Sequence, residues 1–247
     1  MLATQSVMLP AAYADGQPVL LCCPAAGGGR AAFAGWQSAL ADCLAVCAVT
    51  LGGREARAED PLPKTLETAV TEIVDDVAVF LYGARYFVVY GDCAGGLLAL
   101  QLARRLRALQ QLPRVAALIV TDPPPVRKRP RFSALGPEQA LALVKAMAAP
   151  GPQSSSRDAL HAAVARAYRH DVNMYSNAPC NSTQPLGSDI WVFQSSSTAD
   201  DSIVAEWARL APTPEKFHVQ SIDHRDTPVH AVGRIVRSQY DGRSRRR

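Results

Sequence analysis

A cysteine between two glycines lies at the centre of the segment best able to do chemistry, VVYGDCAGG at positions 88–96. Gly91, Cys93 and Gly95 form a G-x-C-x-G pattern between an apolar run and a helical one, which is typical of a nucleophile elbow with cysteine in place of serine. The nucleophile of an elbow has a strained backbone, and the two glycines let strand and helix approach closely. Because Cys93 would lie at the first turn of the helix, the helix dipole should favour the thiolate and lower the pKa of Cys93. The pattern thus predicts a nucleophile, with a buried structural cysteine as the alternative.

An elbow nucleophile requires an acid and then a histidine further along the chain. Among the five histidines, His224 comes directly after a strand-like run, where the base belongs, and His230 is the alternative. The acid should follow the preceding strand-like run, which points to Asp200 or Asp201. Its task would be to fix the tautomer of the imidazole and to stabilise the imidazolium. The sequence therefore predicts a Cys-His-Asp triad in which the aspartate has two candidates.

Backbone N–H groups for an oxyanion hole are expected from two turns. One is the N–H of Ala94, directly after the nucleophile, and the other comes from the glycine-rich loop PAAGGG at positions 24–29. A glycine-rich loop could also hold a phosphate, but this one has neither a G-x-x-x-x-G-K pattern nor a clean G-x-G-x-x-G. The loop is therefore interpreted as part of an acyl-transfer site.

These residues need a sheet whose strands end at one edge, and the alternation of short apolar runs with helical patterns predicts one. Strands are predicted at residues 18–23, 44–51, 86–90, 115–121, 190–193 and 217–222, and helices at 33–41, 65–80 and 94–109. Continuous apolar runs imply a mostly parallel sheet covered on both faces, so the predicted fold class is α/β with a doubly wound sheet. Two further helical patterns, at 137–148 and 157–175, predict a mobile helical lid over the carboxyl ends of the strands, with ordinary crossover helices as the alternative. The expected division is a core of residues 1–125 and 186–247 and a lid insertion at 126–185.

Composition limits the possible functions. The chain has 247 residues, 48% of them hydrophobic, which suits a domain with a full core and excludes disorder and coiled coil. No apolar run is long enough to cross a bilayer and no secretory signal pattern is present, so we expect a soluble, cytoplasmic protein. Much of the net charge of +4 lies in basic runs at 127–131 and 243–247, without a nucleic-acid-binding motif. The six cysteines include no C-x-x-C pair, which predicts free thiols, four of them in the core: Cys22, Cys23, Cys43 and Cys47.

Several blocks along nearly the whole chain together resemble the type II, stand-alone thioesterases of nonribosomal peptide and polyketide assembly lines. CPAAGG at 23–28 resembles the opening block of that family, GREAR at 53–57 its G-R-E-x-R block, and RHD at 169–171 the R-x-D near the end of its lid. Asp201 with Trp207 is similar to the acid-loop region, and His224 falls where the family places its histidine. The resemblance implies an α/β-hydrolase fold with an inserted helical lid.

The resemblance further implies an enzyme that takes acyl groups from the phosphopantetheine thioester of an acyl or peptidyl carrier protein. Carried over by position, it makes Cys93 the nucleophile, His224 the base, Asp201 the acid, and Ala26 and Ala94 the oxyanion donors. We expect no metal and no cofactor other than the phosphopantetheine arm of the partner. We also expect a monomer that binds neither nucleic acid nor a membrane.

The largest departure from the family is the elbow itself, because the family usually has G-H-S-x-G where this chain has Asp92 and Cys93. Attack by serine on a carrier thioester gives an oxyester that water cleaves, whereas attack by cysteine gives another thioester of nearly equal free energy. Two hypotheses therefore compete: hydrolytic release, and transfer to an amine, a hydroxyl or a second carrier thiol, as in cysteine-dependent aminoacyltransferases or cyclising release enzymes. A lactone hydrolase similar to dienelactone hydrolases is a further alternative. So is a non-catalytic carrier-binding module, in which Asp92 weakens the nucleophile by raising its pKa.

Overall fold

A computed structural model of the chain describes residues 6–8, 13–126, 135–148, 154–178, 184–195, 200–222 and 227–241. Its strands are β1 (Val7–Met8), β2 (Val19–Cys23), β3 (Ala45–Val49), β4 (Phe87–Asp92), β5 (Val115–Thr121), β6 (Asp189–Ser195) and β7 (Phe217–Ile222). These strands form one sheet in the spatial order β1-β3-β2-β4-β5-β6-β7. β1 pairs with β3 in the antiparallel sense, and the other neighbouring pairs are parallel. The predicted mostly parallel sheet is therefore confirmed.

Helices cover both faces of this sheet. They are α1 (Trp36–Leu40), α2 (Leu66–Leu81), α3 (Gly95–Ala108), α4 (Pro137–Met147), α5 (Ser155–Ser176), α6 (Asp201–Ala208) and α7 (Pro228–Ile235). Successive side chains of a strand point to opposite faces, so Leu21 packs in the core beneath α2 and α3 while Leu20 packs beneath α1 and α7. The chain is thus a doubly wound α/β protein with a core on each side of the sheet.

The predicted strands form because their residues are apolar on both faces. Every residue of β2 and β5 is buried, and β5 spans the predicted residues 115–121. The helix predicted at 33–41 is instead a 3-10 turn, Arg30–Phe33, followed by α1, because Gly35 lies between them with φ +83° and breaks the helical path. The short strand β1 and the helices α6 and α7 were not predicted. The four cysteines expected in the core are buried free thiols: Cys22, Cys23, Cys43 and Cys47.

Two helices, α4 and α5, lie between β5 and β6, at the position of the predicted lid. Lys145 of α4 forms an ion pair with Asp158 of α5, with Nζ 2.9 Å from Oδ1, and both side chains are exposed. The residues that join the two helices, at 149–153, and the basic run at 127–131 lie outside the described residues. Within the described part of the chain, no helix combines the length and the apolar character needed to cross a membrane.

Candidate active site

Cys93 lies at the sharp turn between β4 and α3, as the elbow pattern predicted. Its backbone has φ +48°, a conformation that non-glycine residues rarely adopt, and its N–H donates to the carbonyl oxygen of Thr121 over 2.8 Å. A Cβ atom on Gly91 would lie 2.6 Å from a Cα atom of α3, and one on Gly95 would collide with the backbone of the loop after β2. Close backbone contacts therefore require both glycines, and the turn leaves Cys93 exposed.

This turn lies where the strand order reverses. β2 lies between β3 and β4, so the loop after β2 and the turn after β4 leave the sheet side by side. Open α/β sheets bind ligands in the crevice at such a point. A cavity of about 230 Å³ lies beside the turn, and its lining residues are Cys93, Asp122, Pro123, Pro124, Val192, Gln194 and Ile203. The nucleophile thus faces a small space with mostly apolar walls.

Asp122, directly after β5, is the carboxylate that shares this cavity with Cys93. Its φ is +42°, its Oδ1 accepts the N–H of Ser195 over 2.9 Å, and its own N–H donates to the carbonyl oxygen of Phe193 over 2.9 Å. Backbone strain of this kind clusters at functional sites. The sequence-based predictions placed the acid after β6 and so missed Asp122. Its position directly after a predicted strand was the available signal, but that position alone does not single out one aspartate.

Two carboxylates, Asp92 and Asp122, act on the thiol of Cys93. Burial and then the charge of Asp122 raise the pKa of Asp92 to about 6. The pKa of Cys93 is raised as well, first by desolvation and then by both carboxylates, while a hydrogen bond from the Ala94 N–H acts in the opposite direction. The expected lowering of the Cys93 pKa by the helix is therefore wrong, because desolvation and two negative charges outweigh one N–H group. These surroundings hold the thiol protonated, so a base is needed to form the thiolate.

The predicted oxyanion donors lie on two neighbouring turns. The N–H of Ala94 forms a hydrogen bond with Cys93. In the loop after β2, the N–H of Gly27 already donates to a carboxylate oxygen of Asp171 over 2.7 Å. Among the described residues, none accepts a hydrogen bond from the N–H of Ala26. Ala26 therefore keeps a donor that a substrate oxygen could use, and the role of both alanines stays a prediction.

The two predicted acids lie at the start of α6. Asp200 caps this helix, because its Oδ1 accepts the N–H of Ser202 over 2.8 Å and the Ser202 hydroxyl over 2.7 Å. These hydrogen bonds lower the pKa of Asp200. Asp201 is the first residue of α6, both aspartates are exposed, and neither lines the cavity beside Cys93.

Within the described ranges, no group of three or more His, Cys, Asp or Glu side chains could hold a metal ion.

The predicted base, His224, lies between the end of β7 and the start of α7, outside the described residues. Its role stays a prediction. The alternative, His230, is exposed on α7, where its Nδ1 lies 3.1 Å from the hydroxyl of Thr227. His218 lies on β7 and stacks on the ring of Trp191, with the ring centroids 4.0 Å apart.

Comparisons with known proteins point to one family. A family model described as thioesterase domain matches residues 18–239. The AMB antimetabolite synthetase AmbE of Pseudomonas aeruginosa is 32% identical over 124 residues, which are 49% of this chain and 6% of that protein. The human medium-chain S-acyl fatty acid synthase thioesterase is 32% identical over 113 residues, 44% of this chain and 41% of that protein. Both matches therefore span less than half the length of the curated relative.

Solved structures agree with this family in fold. The type II thioesterase BorB from the borrelidin biosynthetic cluster matches with a TM-score of 0.78 at 18% identity, over 95% of this chain and 98% of that one. At an identity this low, the match shows a shared fold and nothing about function. The likeness confirms the predicted α/β-hydrolase fold.

Proposed function

The chain belongs to the thioesterase domain family, and from this premise we propose that it is a type II thioesterase-like enzyme of nonribosomal peptide or polyketide biosynthesis. It takes acyl groups from the phosphopantetheine thioester of an acyl or peptidyl carrier protein onto Cys93 and releases them by hydrolysis. The observation that carries the proposal is the strained, exposed Cys93 at the elbow, with a cavity beside it. The descriptions of BorB as a type II thioesterase of a biosynthetic cluster and of AmbE as an antimetabolite synthetase support the assembly-line setting.

The first half-reaction exchanges one thioester for another. His224 takes the proton of Cys93, whose raised pKa makes such a base necessary, and the thiolate attacks the carbonyl carbon of the carrier thioester. The oxyanion that forms accepts hydrogen bonds from the N–H groups of Ala26 and Ala94. The C–S bond to the carrier then breaks, and the leaving thiolate takes the proton from the imidazolium. In the second half-reaction water, deprotonated by the same imidazole, attacks the acyl-enzyme and releases a free acid and the Cys93 thiol.

We assign the acid of the triad to Asp122, with Asp201 and Asp200 as competing candidates. Asp122 lines the cavity that contains Cys93, and its carboxylate lies near enough to affect the pKa of that thiol. The carboxylate of Asp200 is engaged in capping α6. Asp201 is the position implied by the family resemblance, and its side chain is exposed. The assignment supplies a carboxylate at the sheet edge beside the nucleophile, where it can orient an imidazole.

Acyl transfer is the second candidate function, and the identity of the nucleophile favours it. A thioester on Cys93 is nearly equal in free energy to the carrier thioester, so it keeps the acyl group activated. Such an intermediate can pass the acyl group to an amine, a hydroxyl or a second carrier thiol. The balance between transfer and hydrolysis then depends on whether water or another nucleophile reaches the intermediate first. A lactone hydrolase that needs no carrier protein is a weaker candidate.

Intact-protein mass spectrometry tests the proposal. The wild-type chain mixed with a hexanoyl-loaded carrier protein should gain the mass of one hexanoyl group, and Cys93→Ala should not. Cys43→Ala is the matched control, since it removes a buried thiol away from the elbow. An equal adduct on the Cys93→Ala protein would overturn the assignment. Repeating the reaction with and without glycinamide or an unloaded second carrier separates the two functions, because free acid as the sole product in every case removes the transferase.

A further inference from the structure

The structure joins helix α5 to the loop after β2, and we propose that Arg54 and Asp171 are positioning residues that hold the Ala26 N–H in its catalytic place. Residues 24–29 form this loop, the oxyanion loop. The inference rests on the proposed function, since it concerns how the same site stabilises the oxyanion. It also gives a physical role to the GREAR and RHD segments, which take no part in the proposed half-reactions.

Arg54 and Asp171 form a buried, bidentate ion pair. Nη1 and Nη2 of Arg54 each lie 2.7 Å from a different carboxylate oxygen of Asp171. The side chains are 6% and 1% exposed, respectively, so both charges are almost completely removed from water. The desolvation cost of two buried charges can exceed their mutual attraction, so the contacts that the pair makes explain its presence better than a gain in stability does.

The pair contacts two consecutive residues of the oxyanion loop. The N–H of Gly27 donates to Oδ2 of Asp171 over 2.7 Å, and Nη1 of Arg54 donates to the carbonyl oxygen of Gly28 over 3.0 Å. Gly27 is therefore held by its N–H group and Gly28 by its carbonyl oxygen. These contacts fix the backbone immediately after Ala26, whose own N–H has no acceptor among the residues that the structure describes.

Helix α5 packs directly on the same loop. Gly27 has φ +76°, and a Cβ atom there would lie 2.9 Å from the Cβ of Tyr168, one turn before Asp171 on α5. At the far end of the loop, the carboxylate of Glu55 accepts the N–H groups of Arg30 and Ala31, each over 3.0 Å. The loop is therefore held between α5 and the GREAR segment.

The position of α5 and the geometry of the oxyanion loop are consequently coupled. A displacement of α5 that withdraws Asp171 removes the acceptor of the Gly27 N–H and leaves Arg54 without its carboxylate. The Ala26 N–H then loses the neighbouring contacts that aim it. The oxyanion hole is complete when α5 is packed on the core, so acylation of Cys93 is fast only in that arrangement.

Two reactions of Cys93 separate positioning from general folding. Iodoacetamide alkylates the thiolate by displacement of iodide, without forming an oxyanion. Acylation by hexanoyl-N-acetylcysteamine forms a tetrahedral oxyanion before the N-acetylcysteamine thiol leaves. Loss of the pair should therefore slow acylation and spare alkylation.

The key variant replaces both partners with apolar residues, Arg54→Met with Asp171→Leu, because a buried ion pair replaced in this way often leaves a folded protein. We expect kcat for acylation to fall by about 10²-fold, as for a misplaced or missing oxyanion donor, with KM changed by less than about threefold. Alkylation should stay within about twofold of wild type. Asp158→Asn is the matched control, because it removes an exposed ion pair of the same helix and should change neither rate. Asp171→Asn keeps an oxygen acceptor for Gly27 and should lie between the wild type and the double variant.

Hydrogen exchange supplies a readout that does not depend on turnover. Amides of the peptide covering residues 23–30 should exchange faster in the double variant than in the wild type and in Asp158→Asn. Equal slowing of acylation and alkylation would assign the pair a merely structural role and overturn the inference, as would full acylation in a folded double variant. If the wild type itself forms no acyl-enzyme, the proposed function fails instead, and the exchange measurement still decides whether the pair holds the loop.

Discussion

The N–H of Cys93 donates a hydrogen bond to the carbonyl oxygen of Thr121 over 2.8 Å, which fixes the nucleophile to the end of the neighbouring strand. Asp122 follows Thr121 directly. The hydrogen bond therefore joins two turns whose central residues, Cys93 and Asp122, have φ angles of +48° and +42°. Strained backbone of this kind costs on the order of 1–3 kcal/mol per residue and persists only where the surroundings hold it. The edge beside the cavity is thus built from two strained turns that depend on each other.

Replacement of Cys93 by serine should change the product and not only the rate. The Cys93→Ser protein forms an oxyester, which is less reactive towards amines than a thioester, so the ratio of amide to free acid should fall when glycinamide is present. The adduct should also form roughly 10-fold or more slowly, because a hydroxyl is harder to deprotonate than a thiol. Product analysis by liquid chromatography checks both outcomes. An unchanged product ratio would show that the leaving group on the enzyme does not control the partition.

Replacement of Asp92 by asparagine should make Cys93 more acidic. The negative charge of Asp92 raises the pKa of the thiol, so its removal should move the midpoint of the alkylation rate against pH to a lower pH. A shift of one pH unit corresponds to about a tenfold gain in thiolate below the midpoint. Asp75→Asn, on the exposed surface of α2, is the control and should leave the midpoint in place. An unshifted midpoint in Asp92→Asn would remove Asp92 from the electrostatics of the site.

The same variant should stabilise the fold at neutral and alkaline pH. The pKa of Asp92 is about 6 in the folded protein, above its value in an unfolded chain, so its ionisation opposes folding. The penalty is absent below about pH 4, grows as pH rises, and is complete above about pH 6. The gain in unfolding free energy of Asp92→Asn over wild type should therefore be about 2–3 kcal/mol larger at pH 8 than at pH 4. Urea unfolding at the two pH values measures the gain, and an equal gain at both would show that ionisation of Asp92 does not cause it.

Asparagine substitutions at the three candidate acids should give one severe defect. If Asp122 orients the histidine, Asp122→Asn should lower kcat by about 10²-fold or more, since the amide favours the wrong tautomer. Asp200→Asn should leave activity and stability nearly unchanged, because asparagine also caps helices well. Asp201→Asn should likewise stay within about threefold of wild type for an exposed residue outside the cavity. Steady-state kinetics on a hexanoyl-loaded carrier protein decides, and a defect confined to Asp201→Asn would move the acid to α6.

The sequence predicted what is encoded locally. β5 could be predicted because it is an apolar run bounded by turn residues. The elbow could be predicted because its glycines lie two residues on either side of Cys93. Asp122 could not be singled out, since one aspartate after a strand has no spacing pattern of its own. The partnership of Arg54 with Asp171 spans 117 positions, so the two segments appeared only as separate blocks until the fold brought them together. β1, with two residues, is too short for any periodicity.

The burial of the other described cysteines makes Cys93 a natural site for covalent capture. Burial raises the pKa of Cys47 to about 12 and that of Cys22 and Cys23 as well, so these sulfhydryls are both hidden and protonated. Once Cys180, which lies outside the described residues, is replaced, Cys93 is the one exposed thiol among the described residues that a crosslinker can reach. A carrier protein whose phosphopantetheine ends in a chloroacetyl group could then be trapped on the enzyme in a defined orientation. Because the buried thiols would not react with the crosslinker, the trapped complex should contain a single crosslink and be homogeneous enough to crystallise.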